Sequence, residues 1–131
     1  IVPSSTGAAI SVAEAVPGMK GLFDGIALRV PVITGSMADF TFVAGRETTA
    51  EEVNGILERA SQDPRWSKVF SVTREQLVSS DIIGSPYASI ADLSLTKVIG
   101  GDLVKIMAWY DNEMGYTNAL IEHIIKAGSV A

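Results

Sequence analysis

The stretch Leu103-Val104-Lys105-Ile106-Met107-Ala108-Trp109-Tyr110-Asp111-Asn112-Glu113-Met114-Gly115-Tyr116 decides how this chain is built. From Leu103 to Tyr110 it is almost continuously apolar apart from Lys105, which predicts an inner strand covered on both faces. Beyond Asp111-Asn112-Glu113 and Gly115, the residues Leu120, Ile121, Ile124 and Ile125 recur at helical spacing and predict a final helix. Asp111, Asn112 and Glu113 thus sit at a strand-to-helix junction, where polar groups can converge on a ligand. Asn112 could pair its amide with another amide, and Tyr116 could lie against a flat ring. The structural alternative leaves Trp109, Tyr110 and Tyr116 as packing, Asp111 or Asn112 as a helix cap, and Glu113 as a first-turn acid favoured by the helix dipole.

Upstream, Ser4, Ser5 and Thr6 precede Ala8, Ala9, Val12, Ala13 and Val16, which predicts a capped, half-buried helix over 7–16 that stops at Pro17-Gly18. Residues 23–30 alternate, with Ile26, Leu28 and Val30 on one face, and read as a strand carrying Arg29 near its end. After the turn Thr34-Gly35-Ser36, Phe40 and Phe42 alternate with Asp39 and Thr41 over a second strand ending near Gly45, and the two strands suggest an antiparallel pair. Thr49 and Glu52 form a capping box ahead of the stripe Val53, Ile56, Leu57 and Ala60, which predicts a helix over 50–61. Short extended runs follow at 69–72, near 77–79, at 89–93 and at 97–99. Helices interspersed irregularly among these strands favour an α+β fold on a mixed, largely antiparallel sheet with helices on one side.

Composition narrows the function. The chain of 131 residues has 47% apolar and 19% charged residues, which suits one globular unit. Its mean hydropathy of +0.30 is high, yet no apolar run approaches the roughly 18 residues of a membrane span. Some of that apolar surface is expected to meet a partner. A net charge of −5 without a basic run argues against nucleic-acid binding. The absence of Cys removes thiolate zinc sites and thiol nucleophiles from this chain. His123, the only histidine, has no second ligand at metal spacing and reads as a surface or interface residue. Asp81, Asp92 and Asp102 are scattered, and turn and strand-end roles suffice for them.

Two further groups could bind an anion. Ser4-Ser5-Thr6-Gly7 at a helix start offers hydroxyls, unpaired N–H groups and the positive end of the dipole, although Ser5 or Thr6 could equally serve as the cap alone. Arg29 carries a planar fork suited to phosphate oxygens, with an ion pair to Asp39 or another acid as the alternative.

Taken together, IVPSSTGAA, ALRVPV, TTAEEVN, LVSSDIIGSPYASI and LVKIMAWYDNEMGYTN resemble, in order and spacing, the rear portion of phosphorylating glyceraldehyde-3-phosphate dehydrogenases. The resemblance covers essentially the whole chain. It implies an enzyme that oxidises D-glyceraldehyde 3-phosphate with NAD, NADP not being excluded, and inorganic phosphate, through a thiohemiacetal and a thioester formed on a Cys that a His activates. Thr6 and Gly7 match the family's inorganic-phosphate site, and Arg29 the arginine shared by both phosphates. Asn112 matches the amide that binds the nicotinamide carboxamide, Tyr116 the tyrosine beside that ring, and Glu113 a supporting residue. Met114 stands where many members have Trp, and Tyr87 where many have His.

By the same resemblance, residues 1–131 are the C-terminal part of the catalytic domain, truncated at its N-terminal end. The nucleophile, the histidine and the dinucleotide-binding domain would lie upstream. The last helix, about 116–127, would dock on that domain, and the complete protein would be a cytoplasmic homotetramer in glycolysis. A chain opening on Ile-Val-Pro without Met reads as a fragment, a processed product or a partial sequence, and no signal peptide is visible. No metal is expected, and the 131 residues alone are expected to be inactive. The alternatives are an erythrose-4-phosphate dehydrogenase and a non-catalytic phosphate- or protein-binding module.

Overall fold

The computed structural model describes residues 1–129. Where length suggested one globular unit, the chain divides into two compact units, Ile1–Ile33 and Thr34–Ala131.

In the first unit, β1 (Val2–Ser4) pairs antiparallel with β2 (Ala27–Arg29), and α1 (Ala8–Ala15) lies between them in sequence. The α1 helix agrees with the expected 7–16, but none of its residues is fully buried. β1 escaped the sequence reading because three residues are too few to show a period. β2 is shorter than the alternation over 23–30 suggests, because its ladder ends where β1 ends.

The second unit is built on a four-stranded sheet of β3 (Ser36–Val43), β4 (Phe70–Thr73), β5 (Ser89–Ile99) and β6 (Leu103–Tyr110). Their order is β3-β6-β5-β4, with β4 and β5 parallel and the other pairs antiparallel. The α+β class with a mixed, largely antiparallel sheet therefore holds. The expected pairing of β2 with β3 does not: β2 pairs with β1, and β3 pairs with β6 from Ser36↔Tyr110 to Val43↔Leu103. Proximity in sequence misled there, since a long-range partner took each strand.

β6 is an inner strand, as its apolarity predicts, but its coverage is uneven. Val104 and Ala108 are buried, whereas Lys105, Met107 and Trp109 on the alternate face are half-buried. The two short runs near 89–93 and 97–99 are one strand, β5, whose register against β6 shifts between Asp92 and Lys97. The run near 77–79 instead leads into a 3-10 turn at Ser79–Ile82, because the Asp81 carboxylate accepts the Val78 N–H at 2.7 Å and turns the chain.

The helix α2 (Ala50–Gln62) lies along β4 and β5. Thr49 caps it, its hydroxyl accepting the Glu52 N–H at 3.1 Å. Only half of the expected capping box forms: the Glu52 carboxylate turns to Arg46 and the Thr48 hydroxyl instead of the Thr49 N–H. On the buried face of α2, Asn54 donates to the Leu93 carbonyl at 2.9 Å and accepts from the Thr96 hydroxyl at 2.7 Å. The Leu93 carbonyl and the Thr96 hydroxyl near the β5 irregularity are thereby satisfied. The last helix, α3 (Met114–Gly128), follows β6 and is tied to Lys68 by Asn118 and Glu122.

Candidate functional site

The junction between β6 and α3 is organised by Asp111, which is buried. One carboxylate oxygen accepts the N–H groups of Glu113 at 2.8 Å and Met114 at 3.1 Å. It also lies 3.3 Å from the Thr34 hydroxyl, while the other oxygen accepts the Gly84 N–H at 2.8 Å. Three segments distant in sequence are thus held by one side chain. The backbone donors of Gly84, Glu113 and Met114 hold the Asp111 pKa below the ordinary carboxylate range, against the opposing effect of burial, with Thr34 adding to them.

Because Asp111 occupies the capping role that the sequence left open between it and Asn112, Asn112 is released for another use. Its side chain is exposed, and its Oδ1 accepts the Gly35 N–H at 3.1 Å. The hydroxyls of Thr34 and Ser36 lie 3.3 and 3.5 Å from the same oxygen. A backbone N–H can only donate, so the atom facing it is oxygen and the amide orientation is determined. Among the described residues, Asn112 Nδ2 makes no hydrogen bond, and it remains as an outward donor.

Gly35 itself has φ of +93°. The left-handed backbone suits glycine there, and a Cβ would come within 3.1 Å of the Ser79 carbonyl oxygen.

Four residues beyond Asn112, Tyr116 on the first turn of α3 is 68% exposed. Glu113 is exposed, and its carbonyl accepts from the Thr117 N–H and hydroxyl, while its side chain makes no hydrogen bond among the described residues. The core alternative applies to Trp109, which is half-buried with its indole N–H donating to the buried Asp92 at 3.1 Å. That role for Asp92 exceeds the strand-end part expected of it, and its only sequence signal was a carboxylate among apolar neighbours. His123 is exposed on α3, and no group of metal-ligating side chains occurs among the described residues.

In the first unit, the cap position of α1 is Gly7, which has no side-chain cap bond, and the Thr6 hydroxyl one residue before it accepts the Ala8 N–H at 3.2 Å. A hydroxyl that accepts in this way keeps its own proton for donation. Gly7 is exposed, and its surroundings are open on the side a Cβ would take. Arg29 is exposed and makes no ion pair among the described residues; Asp39, one acid the sequence offered it, is bound by Lys105. The ladder sets Val2 opposite Arg29 and Ser4 opposite Ala27, so Thr6 and Arg29 lie toward opposite ends of the two-stranded ribbon and are not in hydrogen-bond contact.

Residues 1–112 match the family model described as "Glyceraldehyde 3-phosphate dehydrogenase, C-terminal domain". The chain belongs to this family. It is 49% identical over 93% of its length to a glyceraldehyde-3-phosphate dehydrogenase 2 of Trichormus variabilis and 44% identical over 93% to a glyceraldehyde-3-phosphate dehydrogenase of Zymomonas mobilis subsp. mobilis. A glyceraldehyde-3-phosphate dehydrogenase of Clostridium pasteurianum is 42% identical over the entire chain. The chain spans 36% of the first two relatives and 39% of the third, little more than a third of each. Among the described residues no helix is long and apolar enough to cross a membrane.

Proposed function

We infer that this chain is the C-terminal part of the catalytic domain of a phosphorylating glyceraldehyde-3-phosphate dehydrogenase, contributing binding groups and no nucleophile. The observation that carries the reading is Asn112: its oxygen is engaged by Gly35 N–H, and on this exposed residue the two N–H donors of Nδ2 make no hydrogen bond among the described residues. Such a donor fits the carbonyl oxygen of a carboxamide, and the exposed Tyr116 ring four residues on suits a flat heterocycle. NAD, when bound, supplies the hydride acceptor; NADP fits the same groups. Asn112 holds the ring in one orientation, Tyr116 covers it, and Glu113 supports the junction through its backbone.

Thr6, Gly7 and Arg29 form the phosphate-binding set. The Thr6 O–H and the open approach at Gly7 offer neutral donors at the start of α1, and Arg29, which makes no ion pair among the described residues, supplies a guanidinium for the phosphates of glyceraldehyde 3-phosphate and of inorganic phosphate. Because Thr6 and Arg29 are set apart along the ribbon, we assign Arg29 the role of reaching an anion shared with groups outside this chain. The nucleophilic Cys and the His that activates it belong to the rest of the protein, as does the dinucleotide-binding domain.

That domain also explains α3. Leu120, Ile121, Ile124 and Ile125 are 43–60% exposed, and docking them would remove an apolar stripe from water. The complete protein is then a homotetrameric glycolytic enzyme of the cytoplasm, with erythrose 4-phosphate oxidation as the sister activity open to the same groups.

The test is Asn112→Ala in the dehydrogenase that carries this chain. Loss of one oriented hydrogen bond, worth about 0.5–1.5 kcal/mol, lowers the hydride-transfer rate about threefold to tenfold at saturating cofactor. An unchanged rate and an unchanged NAD affinity overturn the reading.

A further inference from the structure

The groups that hold Asn112 have no part in the binding set assigned above, yet they determine what it presents. Thr34 and Gly35 bend the chain into β3 at Ser36, and the Gly35 N–H and the hydroxyls of Thr34 and Ser36 lie 3.1–3.5 Å from Asn112 Oδ1. The Gly35 bond is the shortest of them at 3.1 Å, and it is made from a backbone with φ of +93°. Thr34 is the hinge of the arrangement: its hydroxyl lies 3.3 Å from both Asp111 and Asn112 and has one proton to share between them.

Asp111 in turn fixes the backbone of Glu113 and Met114 on the far side of Asn112. Asn112 is therefore braced from two directions, by its own side chain against the turn and by its neighbours' backbone through Asp111. A primary amide free to rotate by 180° would show oxygen as readily as nitrogen to a ligand. Here the turn removes that freedom, and only a hydrogen-bond acceptor is recognised.

We propose that Thr34-Gly35-Ser36 is a positioning turn that locks the Asn112 amide with Nδ2 outward, so that an exposed side chain selects the carbonyl of the carboxamide and sets which face of the ring is offered for hydride transfer. This inference rests on the role given to Asn112 above. Thr34 acts through Asn112 and touches neither substrate nor cofactor. Loosening it costs orientation rather than attachment, since the rest of the dinucleotide is held elsewhere.

The experiment compares Thr34→Val, Thr34→Ser, Asn112→Ala and Asn112→Asp in the dehydrogenase carrying this chain. Single-turnover hydride transfer is measured together with the calorimetric affinities for NAD and for ADP-ribose, which lacks the nicotinamide. Thr34→Val is expected to slow hydride transfer about threefold to fivefold and to leave ADP-ribose affinity unchanged, with Thr34→Ser restoring the rate. Asn112→Asp keeps an oxygen against Gly35 but turns the outward donor into an acceptor, and is expected to be slower and to bind NAD more weakly than Asn112→Ala.

Asn112→Asp matching or exceeding Asn112→Ala on both readouts overturns the locked orientation, and so does a Thr34→Val rate equal to wild type while Asn112→Ala is impaired. If Asn112→Ala is itself indistinguishable from wild type, the underlying assignment of Asn112 fails. Should Thr34→Val fold poorly, the comparison of Asn112→Asp with Asn112→Ala decides the matter alone.

Discussion

Gly115 lies so close to Tyr87 that a Cβ at position 115 would come within 2.6 Å of the Tyr87 carbonyl oxygen and 3.1 Å of the Ala88 Cα. The obstructing atoms are backbone, so α3 and the segment before β5 could not both stay in place. Gly115→Ala gains helix propensity of about 1 kcal/mol, but overpacking typically costs about 1–3 kcal/mol. A net loss is predicted. In α2, by contrast, a Cβ at Gly55 meets only the far end of the Arg59 side chain at 3.4 Å, so Gly55→Ala should stabilise by up to about 1 kcal/mol. Urea denaturation of the two variants checks both signs.

Asp111 gives the stability a pH signature. Its folded pKa lies below the unfolded value of about 3.9, so its contribution is fully present above that value and is lost as pH falls through the lower folded one. Both of its oxygens accept backbone N–H groups, so an amide would set a donor against one of those donors. Asp111→Asn should therefore be clearly less stable than wild type at pH 6, with the gap closing below about pH 4. A gap independent of pH would contradict this.

Asn54 bridges α2 to β5 from a buried position, with both ends of its amide used. Asn54→Leu strands the Leu93 carbonyl and the Thr96 hydroxyl, which is expected to cost about 1–3 kcal/mol. The double change with Thr96→Val should cost less than the sum of the single ones, because each removes the other's orphan. Equilibrium denaturation of the four proteins measures the coupling.

With no Cys in the sequence, no thioester can form on this chain. The purified 131-residue chain, supplied with NAD, glyceraldehyde 3-phosphate and phosphate, is predicted to form no NADH. An intact mass of the natural product near 13.8 kDa would favour the non-catalytic module, and a mass more than twice that would favour the dehydrogenase.

Much of this was legible in the residues. The stripe of Val53 and its neighbours and the cap at Thr49 announced α2, and continuous apolarity announced β6 as an inner strand, because periodicity and local capping act over a few residues. What escaped notice depends on distant partners. The three residues of β1 become a strand only against β2, and β3 pairs with β6 rather than with its neighbour in sequence. The same holds at the site. WYDNE marked Asn112, but that Asp111 would take the cap and the Thr34-Gly35-Ser36 turn would take the amide oxygen is a matter of tertiary approach.

We propose that this chain grips phosphate and orients nicotinamide within a phosphorylating dehydrogenase. The most direct test is the phosphate dependence of NADH formation by the complete protein, wild type against Arg29→Ala. A hydrogen-bonded charge is worth about 1.5–3 kcal/mol, so the variant should need about tenfold to a hundredfold more inorganic phosphate. Wild-type NADH formation that requires glyceraldehyde 3-phosphate and phosphate, with that shift in the variant, is the predicted result. A phosphate and substrate dependence identical in the two proteins would contradict a phosphate-binding role for Arg29.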